Sequence, residues 1–418
     1  MTTVDFRTRH QGDAVALDLA TFLDEQLPSV DEHRSLAGRG VVALGLPPLT
    51  LHVEGEPLTF STDDHGALQV RRVDGDALVV AMDAGAFSDL VQEVASTFGL
   101  QLAGRADVQR GARDAFVEWD PVLRALLDGR PVHEPGWVDL VDAEGRALDL
   151  HRSFTLDDDP HEMGEFLAAA GFLHVAAVFT DDEMAEVSTE LDRAIEAAEP
   201  DDGASWWAET SSGESYPARI LGFNQKSPTL RALLTDERFA TLGTLTDDSF
   251  VQRNPDVGDS AEGLLKKVGV VEGISDVSWH KDCAPGGHSR GCCGLTTGIS
   301  VTGAGPTNGE LGVVPGSHRA NVPSLGVEGL DLPRMPLPTQ TGDVTIHCSC
   351  TLHMSRPPVS AERRVVYTGF ALAPRPGDEP PVRTPEEIRR ARLAQNDYVR
   401  RDQRNGDSSG ARVASHEL

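Results

Sequence analysis

Gly342-Asp-Val-Thr-Ile-His-Cys-Ser-Cys-Thr-Leu-His353 opens on a turn pair and runs through β-branched residues to a histidine. Gly and Asp punctuate the chain, and the Val-Thr-Ile run favours a strand. Arg363-Arg-Val-Val-Tyr-Thr-Gly-Phe370 follows as a further strand, carrying Arg364. Upstream, Trp279-His280-Lys281-Asp282 closes a strand around Val277. Asn308-Gly-Glu-Leu-Gly-Val-Val-Pro-Gly-Ser-His318-Arg319 supplies a turn, a strand and a second turn. From Leu264 to Ala373 the pattern is one of short strands broken by Gly and Pro, as in a double-sheet barrel of the jelly-roll or cupin type. If residues 345–353 form one strand, Cys348 and Cys350 face away from His347 and His353.

The polar residues of this region carry chemistry. Two imidazoles and one carboxylate are the ligand set that holds a non-haem Fe(II) on one face and leaves the other open. On a strand, residues i and i+2 point to the same side, roughly 6–7 Å apart. His280 and Asp282 can therefore converge on one ion while His353 arrives from a neighbouring strand. A lone His-x-Asp is weak among 14 histidines, and its weight comes from the motifs around it. His318, after Pro-Gly-Ser, reads as a structural histidine, and His347 shares the predicted face of His353. His288 reads as an exposed loop residue, and Asp343 as the residue that shapes its turn. Trp206 and Trp207 lie in a stretch read as a loop, either packed or capping a substrate mouth. The five cysteines, Cys283, Cys292, Cys293, Cys348 and Cys350, lack the C-x₂-C spacing of structural zinc sites. Small buried residues packing behind the site is the favoured reading over a zinc centre.

From about Glu162 to Ala373 these motifs, in this order, resemble the phytanoyl-CoA dioxygenase family of Fe(II)/2-oxoglutarate-dependent oxygenases. The resemblance rests on the helix–Gly171-Phe172–strand opening, Trp-His-x-Asp, Asn-Gly-x-Leu…Val-Pro-Gly-Ser-His, Gly-Asp-Val…His, and an arginine eleven residues beyond that histidine. It implies a double-stranded β-helix with His280, Asp282 and His353 as iron ligands. Arg364 would hold the distal carboxylate of 2-oxoglutarate, with Arg363 expected on the opposite side of its strand. Lys267 would help bind 2-oxoglutarate or an acidic substrate, or else stand as a solvated edge charge. A guanidinium fork suits the far carboxylate better than an ammonium does. The implied cofactors are Fe(II) and 2-oxoglutarate, with O2 as co-substrate and ascorbate in support. Related halogenases lack the carboxylate, so Asp282 favours hydroxylation, desaturation or ring closure over halide transfer. Two departures set this chain apart: Lys281 where the family often has glutamine, and the glycine-rich stretch Cys283–Gly294.

The rest of the chain frames that core. With 418 residues, 39% hydrophobic and 25% charged, two domains are expected. A small α+β domain is expected over 1–150, an oxygenase domain over 151–375, and a charged C-terminal helix (385–401) with a flexible tail over 376–418. In the first domain, 13–28 reads as an amphipathic helix. Val41–Leu46, Leu49–Val53, Leu58–Ser61, Ala67–Val73, Ala77–Met82 and Leu100–Val108 read as strands, and Ala86–Phe98 and Pro121–Leu127 as helices. Gly75–Asp83 and Leu102–Asp107 give it a weak likeness to the sterol-carrier-protein fold. Thr180-Asp-Asp-Glu183 is a capping box opening a helix. A net charge of −29 argues against nucleic acid and anionic membranes as partners. No apolar run of ~18 residues exists to span a bilayer, and no signal peptide is visible. A cytoplasmic enzyme acting on a small molecule is expected, with any oligomer formed through the N-terminal domain. The N-terminal likeness suggests an apolar lipid, terpenoid or polyketide as substrate, with an amino acid or secondary metabolite the nearest competitor. A catalytically idle ligand-binding barrel is the reading from a different class.

Overall fold

The computed structural model describes residues 14–246, 250–252, 254–256, 258–273, 277–286, 293–372, 384, 386–390 and 392–393. His288, Cys292 and the expected C-terminal tail lie outside them. Of the expected C-terminal helix, 386–390 and 392–393 are described and helical. The chain divides into two compact units. One comprises 1–138 with 281–293 and 317–331; the other comprises 139–280, 294–316 and 332–418.

The first unit is built on a five-stranded sheet of β1 (Leu49–Val53), β2 (Glu56–Thr62), β3 (Leu68–Arg71), β4 (Leu78–Met82) and β5 (Ala106–Arg110). Their order is β3-β2-β1-β4-β5, with β1 and β4 parallel and the other pairs antiparallel. Leu49, Leu51, Leu58, Phe60, Leu78 and Val80 are buried together with Phe22, Phe87 and Trp119. Expected elements differ here in three places. Val41–Leu46 is no strand: Arg34–Leu44 is a helix that ends on Gly45 in the left-handed region. Its Gly38 lies so close to the Gly66 carbonyl that an added Cβ would sit 2.0 Å from the oxygen. Leu100–Val108 divides into the helix Thr97–Leu102 and β5. The single helix expected over 86–98 ends at Val91.

The second unit carries two antiparallel sheets. The larger runs β11 (Val270–Glu272), β7 (Ser205–Thr210), β8 (Ser215–Ile220), β10 (Glu262–Lys266), β18 (Arg363–Leu372), β13 (Gly294–Ser300), β16 (Val344–Cys348) and β6 (Phe172–Val175), and β9 (Phe250–Gln252) pairs with the end of β18. The smaller runs β12 (Val277–His280), β17 (His353–Ser355), β14 (Leu311–Val313) and β15 (Met335–Leu337). The chain crosses repeatedly between them, from β12 to β13, from β15 to β16, from β16 to β17 and from β17 to β18. This is the double-stranded β-helix that the motifs predicted. One expectation needs correction. Residues 345–353 are not a single strand: β16 ends at Cys348, and the Thr351 amide donates to the Cys348 carbonyl at 2.8 Å in a turn that delivers His353 to the other sheet. Trp206 and Trp207 lie in strand β7, not in a loop.

Helices cover the outer face of the larger sheet. Gly263 on β10 leaves room for Leu191 and Phe223, and Phe370 stacks on Phe239 with ring centroids 5.2 Å apart. The helix Asp181–Glu196 opens with the expected capping box between Thr180 and Glu183. Arg238 donates to Glu183 at 2.8 Å, and this contact, with the Thr180 amide and hydroxyl, holds the Glu183 carboxyl at about 2 against an ordinary value of 4.5. A folded-state value below the unfolded one contributes stability above about pH 4.5 that is lost as pH falls toward 2. Glu183→Gln should therefore flatten the acid limb of a stability–pH curve in that window. With the pair about one-third exposed, the contribution is roughly 1 kcal/mol, measurable by denaturant titration at pH 3 and pH 7.

At the start of β16, Asp343 accepts from His174 Nε2 at 2.9 Å, the Ala177 amide at 2.9 Å and the Gln340 amide at 2.6 Å. Burial pushes its carboxyl up, but these donors together hold it below the usual range. Asp343 thus shapes its turn and ties it to β6. Asp343→Ala would leave the buried His174 ring and the partly buried Ala177 and Gln340 amides without their acceptor, and should cost about 2 kcal/mol in a chemical-denaturation midpoint measurement.

Candidate active site

His280 closes β12 and His353 opens β17, and the two residues are directly opposed in the antiparallel register. Opposed residues on neighbouring strands hold their Cβ atoms within about 5.5 Å, so the imidazoles must meet. Their ring centroids are 4.2 Å apart. Each ring is tied from behind by a carbonyl two residues back. His280 Nδ1 lies 2.7 Å from Ser278 O, and His353 Nδ1 lies 3.0 Å from Thr351 O. A neutral imidazole that donates from Nδ1 carries its lone pair on Nε2, the arrangement of a metal-binding histidine with its outer partner in place. Asp282 completes the group, and one donor atom from each of the three residues lies within 4.8 Å of the others. Among the described residues this is the one such group of histidine, cysteine and carboxylate side chains, and no cysteine joins it. The donor set fits Fe(II).

Asp282 reaches the group from a turn beyond the end of β12, not from the strand itself. His353 is buried, His280 half-buried and Asp282 exposed. Lys281 between them is buried and points its ammonium at the carbonyls of Ser317 and Ala320, 3.4 Å from each. Lys281 is thus an anchor for the turn that carries Asp282.

The inner face of the larger sheet follows from register. Thr296 on β13 is opposite both His347 on β16 and Gly369 on β18. With side chains alternating, Tyr367, Val365 and Arg363 share the face of His347. Arg363 is opposite Lys266 on β10. Lys266 reaches from this face to the smaller sheet, donating to Ser355 Oγ at 2.6 Å and Arg356 O at 2.7 Å. Arg363 is buried and donates from Nη1 to Gly309 O at 2.6 Å, and its buried Nε has no hydrogen-bond partner among the described residues. The His347 ring stands 4.1 Å from that of His353. Nearby, Glu310 is buried with Arg356 3.2 Å away, and burial pushes its carboxyl up.

Arg364 and Lys267 lie elsewhere. Arg364 turns to the helix Asp181–Glu196, where Nη1 donates to Ser188 Oγ at 2.8 Å and pairs with Asp192 at 2.8 Å. Lys267 pairs with Glu214 at 2.6 Å over the Tyr216 ring. In both doublets the residue expected to face the pocket points out, and its neighbour points in. A one-residue difference in register exchanges the faces of a strand. Both faces of β18 are largely buried, so no polar alternation in the sequence marks which arginine is inward.

Residues 167–366 match the family model described as phytanoyl-CoA dioxygenase. That stretch carries a phytanoyl-CoA dioxygenase domain. The protein is accordingly an enzyme, an iron- and 2-oxoglutarate-dependent oxygenase. No curated protein matches the chain. Among solved structures, AviO1 from Streptomyces viridochromogenes Tue57 is 22% identical over 54% of this chain and 97% of its own, with a TM-score of 0.40. The epimerase SnoN, solved with Fe3+, α-ketoglutarate and nogalamycin RO, is 20% identical over 54% of this chain and 91% of its own, with a TM-score of 0.41. HygX from Streptomyces hygroscopicus, solved with nickel and 2-oxoglutarate, is 18% identical over 51% of this chain and 87% of its own, with a TM-score of 0.39. Among the described residues, no helix is long and apolar enough to cross a membrane.

Proposed function

We propose that this enzyme hydroxylates an unactivated C–H bond of a small organic metabolite, with O2 consumed, one oxygen atom entering the product and the other entering succinate as 2-oxoglutarate loses CO2. His280, Asp282 and His353 hold Fe(II), which when bound supplies the oxidising chemistry. The observation that carries this reading is the convergence of their donor atoms within 4.8 Å. The chain's own residues bind, orient and shield. The carbonyls of Ser278 and Thr351 keep the protons of His280 and His353 on Nδ1. Arg363 takes the role expected of Arg364: its unmatched buried Nε suits the distal carboxylate of 2-oxoglutarate. Lys266, not Lys267, adds positive charge on the same face.

The substrate class we favour is an apolar metabolite, and the setting cytoplasmic. We read 1–150 as a sterol-carrier-protein-like domain through which any oligomer would form, 151–375 as the oxygenase domain, and 376–418 as a C-terminal helix and tail. Purified protein given Fe(II), ascorbate and 2-oxoglutarate should release succinate without added substrate, and a chelator should stop it. Failure to form succinate above an iron-free control would refute the proposal and leave the idle-barrel reading.

A further inference from the structure

The ligand-bearing turn 281–286 belongs to the first compact unit together with residues 1–138. The Ala284 amide donates to Lys281 O at 3.0 Å, and the Gly286 amide donates to Cys283 O at 3.0 Å. Asp282 sits inside the first of these two turns. Its side chain is exposed, and the backbone of this turn carries it.

That backbone is gripped by the segment Ser96–Gly99. The buried Ser96 hydroxyl donates to the Ala284 carbonyl, and the Ser96 amide donates to Pro285 O at 3.0 Å. The same hydroxyl oxygen accepts from the Gly99 amide at 2.9 Å, capping the helix Thr97–Leu102. Thr97 in turn is held by Asp120, whose carboxylate accepts from its amide at 3.2 Å. Between the two segments the backbones touch with no side chain intervening. A Cβ on Gly99 would lie 2.0 Å from Pro285 O. One on Gly286, whose φ is +110°, would lie 2.5 Å from the Ser96 nitrogen. Both glycines are required by this approach.

We propose that Ser96 and Gly99 are positioning residues for the Asp282 carboxylate, acting through the backbone of the 281–286 turn. The inference rests on Asp282 being a ligand, as proposed above. An added methyl at Gly99 must push the Pro285 carbonyl away by about an ångström, and the turn carrying Asp282 moves with it. Losses of partners that orient a metal ligand typically weaken metal binding ~10–100-fold.

The test is anaerobic equilibrium dialysis of Fe(II) against full-length apoprotein, with thermal unfolding measured in parallel. Gly99→Ala should raise the Fe(II) Kd by roughly 10-fold or more. Gly38→Ala is the matched control. It places an equal clash, 2.0 Å from Gly66 O, in the same unit, and should lower stability while leaving the Fe(II) Kd unchanged. Should Gly99→Ala fail to fold, Ser96→Ala and Ser96→Thr replace it, with the alanine variant weakening Fe(II) and the threonine restoring it. An unchanged Kd in Gly99→Ala, or in Ser96→Ala where that replaces it, overturns the inference, as does an equal loss in Gly38→Ala. Asp282→Ala in the same dialysis separates the two levels. If it leaves Kd unchanged, the ligand assignment itself has failed.

Discussion

Asp282→Ala is expected to abolish succinate formation while the protein remains folded. The carboxylate is exposed in a turn, so its removal leaves no cavity, and stability should change by less than about 0.5 kcal/mol. Metal affinity should fall by more than about 100-fold, beyond the usual cost of losing only an outer partner. His353→Ala should silence the enzyme equally. It should also cost stability of about 1–2 kcal/mol, because the buried ring packs between His280 and His347. Anaerobic Fe(II) binding and single-turnover succinate yield measure the first effect, and denaturant midpoints the second. An Asp282→Ala protein that still binds iron and turns over 2-oxoglutarate would refute the ligand assignment.

The second large effect separates two adjacent arginines. Arg363→Ala removes the guanidinium that points inward with an unmatched Nε. Charge-assisted bonds to a carboxylate contribute ~1.5–3 kcal/mol each. The KM for 2-oxoglutarate should therefore rise on the order of 100-fold, at about 1.4 kcal/mol per tenfold. Arg364→Ala breaks the pair with Asp192 and the bond to Ser188 on the outer helix. It should leave that KM within about twofold and cost at most about 1 kcal/mol of stability. Steady-state kinetics with 2-oxoglutarate as the varied substrate decide the matter. The reverse pattern would return the role to Arg364.

The barrel and the candidate iron ligands are legible in residues whose meaning is local. Turn glycines, β-branched runs and the His-x-Asp spacing each specify a short piece of backbone. The opposition of His280 and His353 then follows from pairing two short strands. Register is not local in that way. Arg363-Arg364 and Lys266-Lys267 are doublets on strands with apolar neighbours on both faces, because helices such as Asp181–Glu196 bury the outer side. Nothing in the residues themselves says which member turns inward. That choice comes from the ladder that sets Lys266 opposite Arg363. The helix Arg34–Leu44 escapes a local reading for a related reason: Gly38 serves a close approach to Gly66 and Gly40 one to Val132, contacts that no local pattern announces. Pro285 and Ser96, far apart in the chain, meet for the same kind of reason.

The measurement that bears most directly on all of this is anomalous diffraction at the iron absorption edge from crystals grown without oxygen in Fe(II) and 2-oxoglutarate. A single peak within bonding reach of His280 Nε2, His353 Nε2 and the Asp282 carboxylate is the expected result, with the far end of 2-oxoglutarate against Arg363. Iron bound instead beside Cys348 or Cys350, or no ordered iron at the histidine pair, would contradict it.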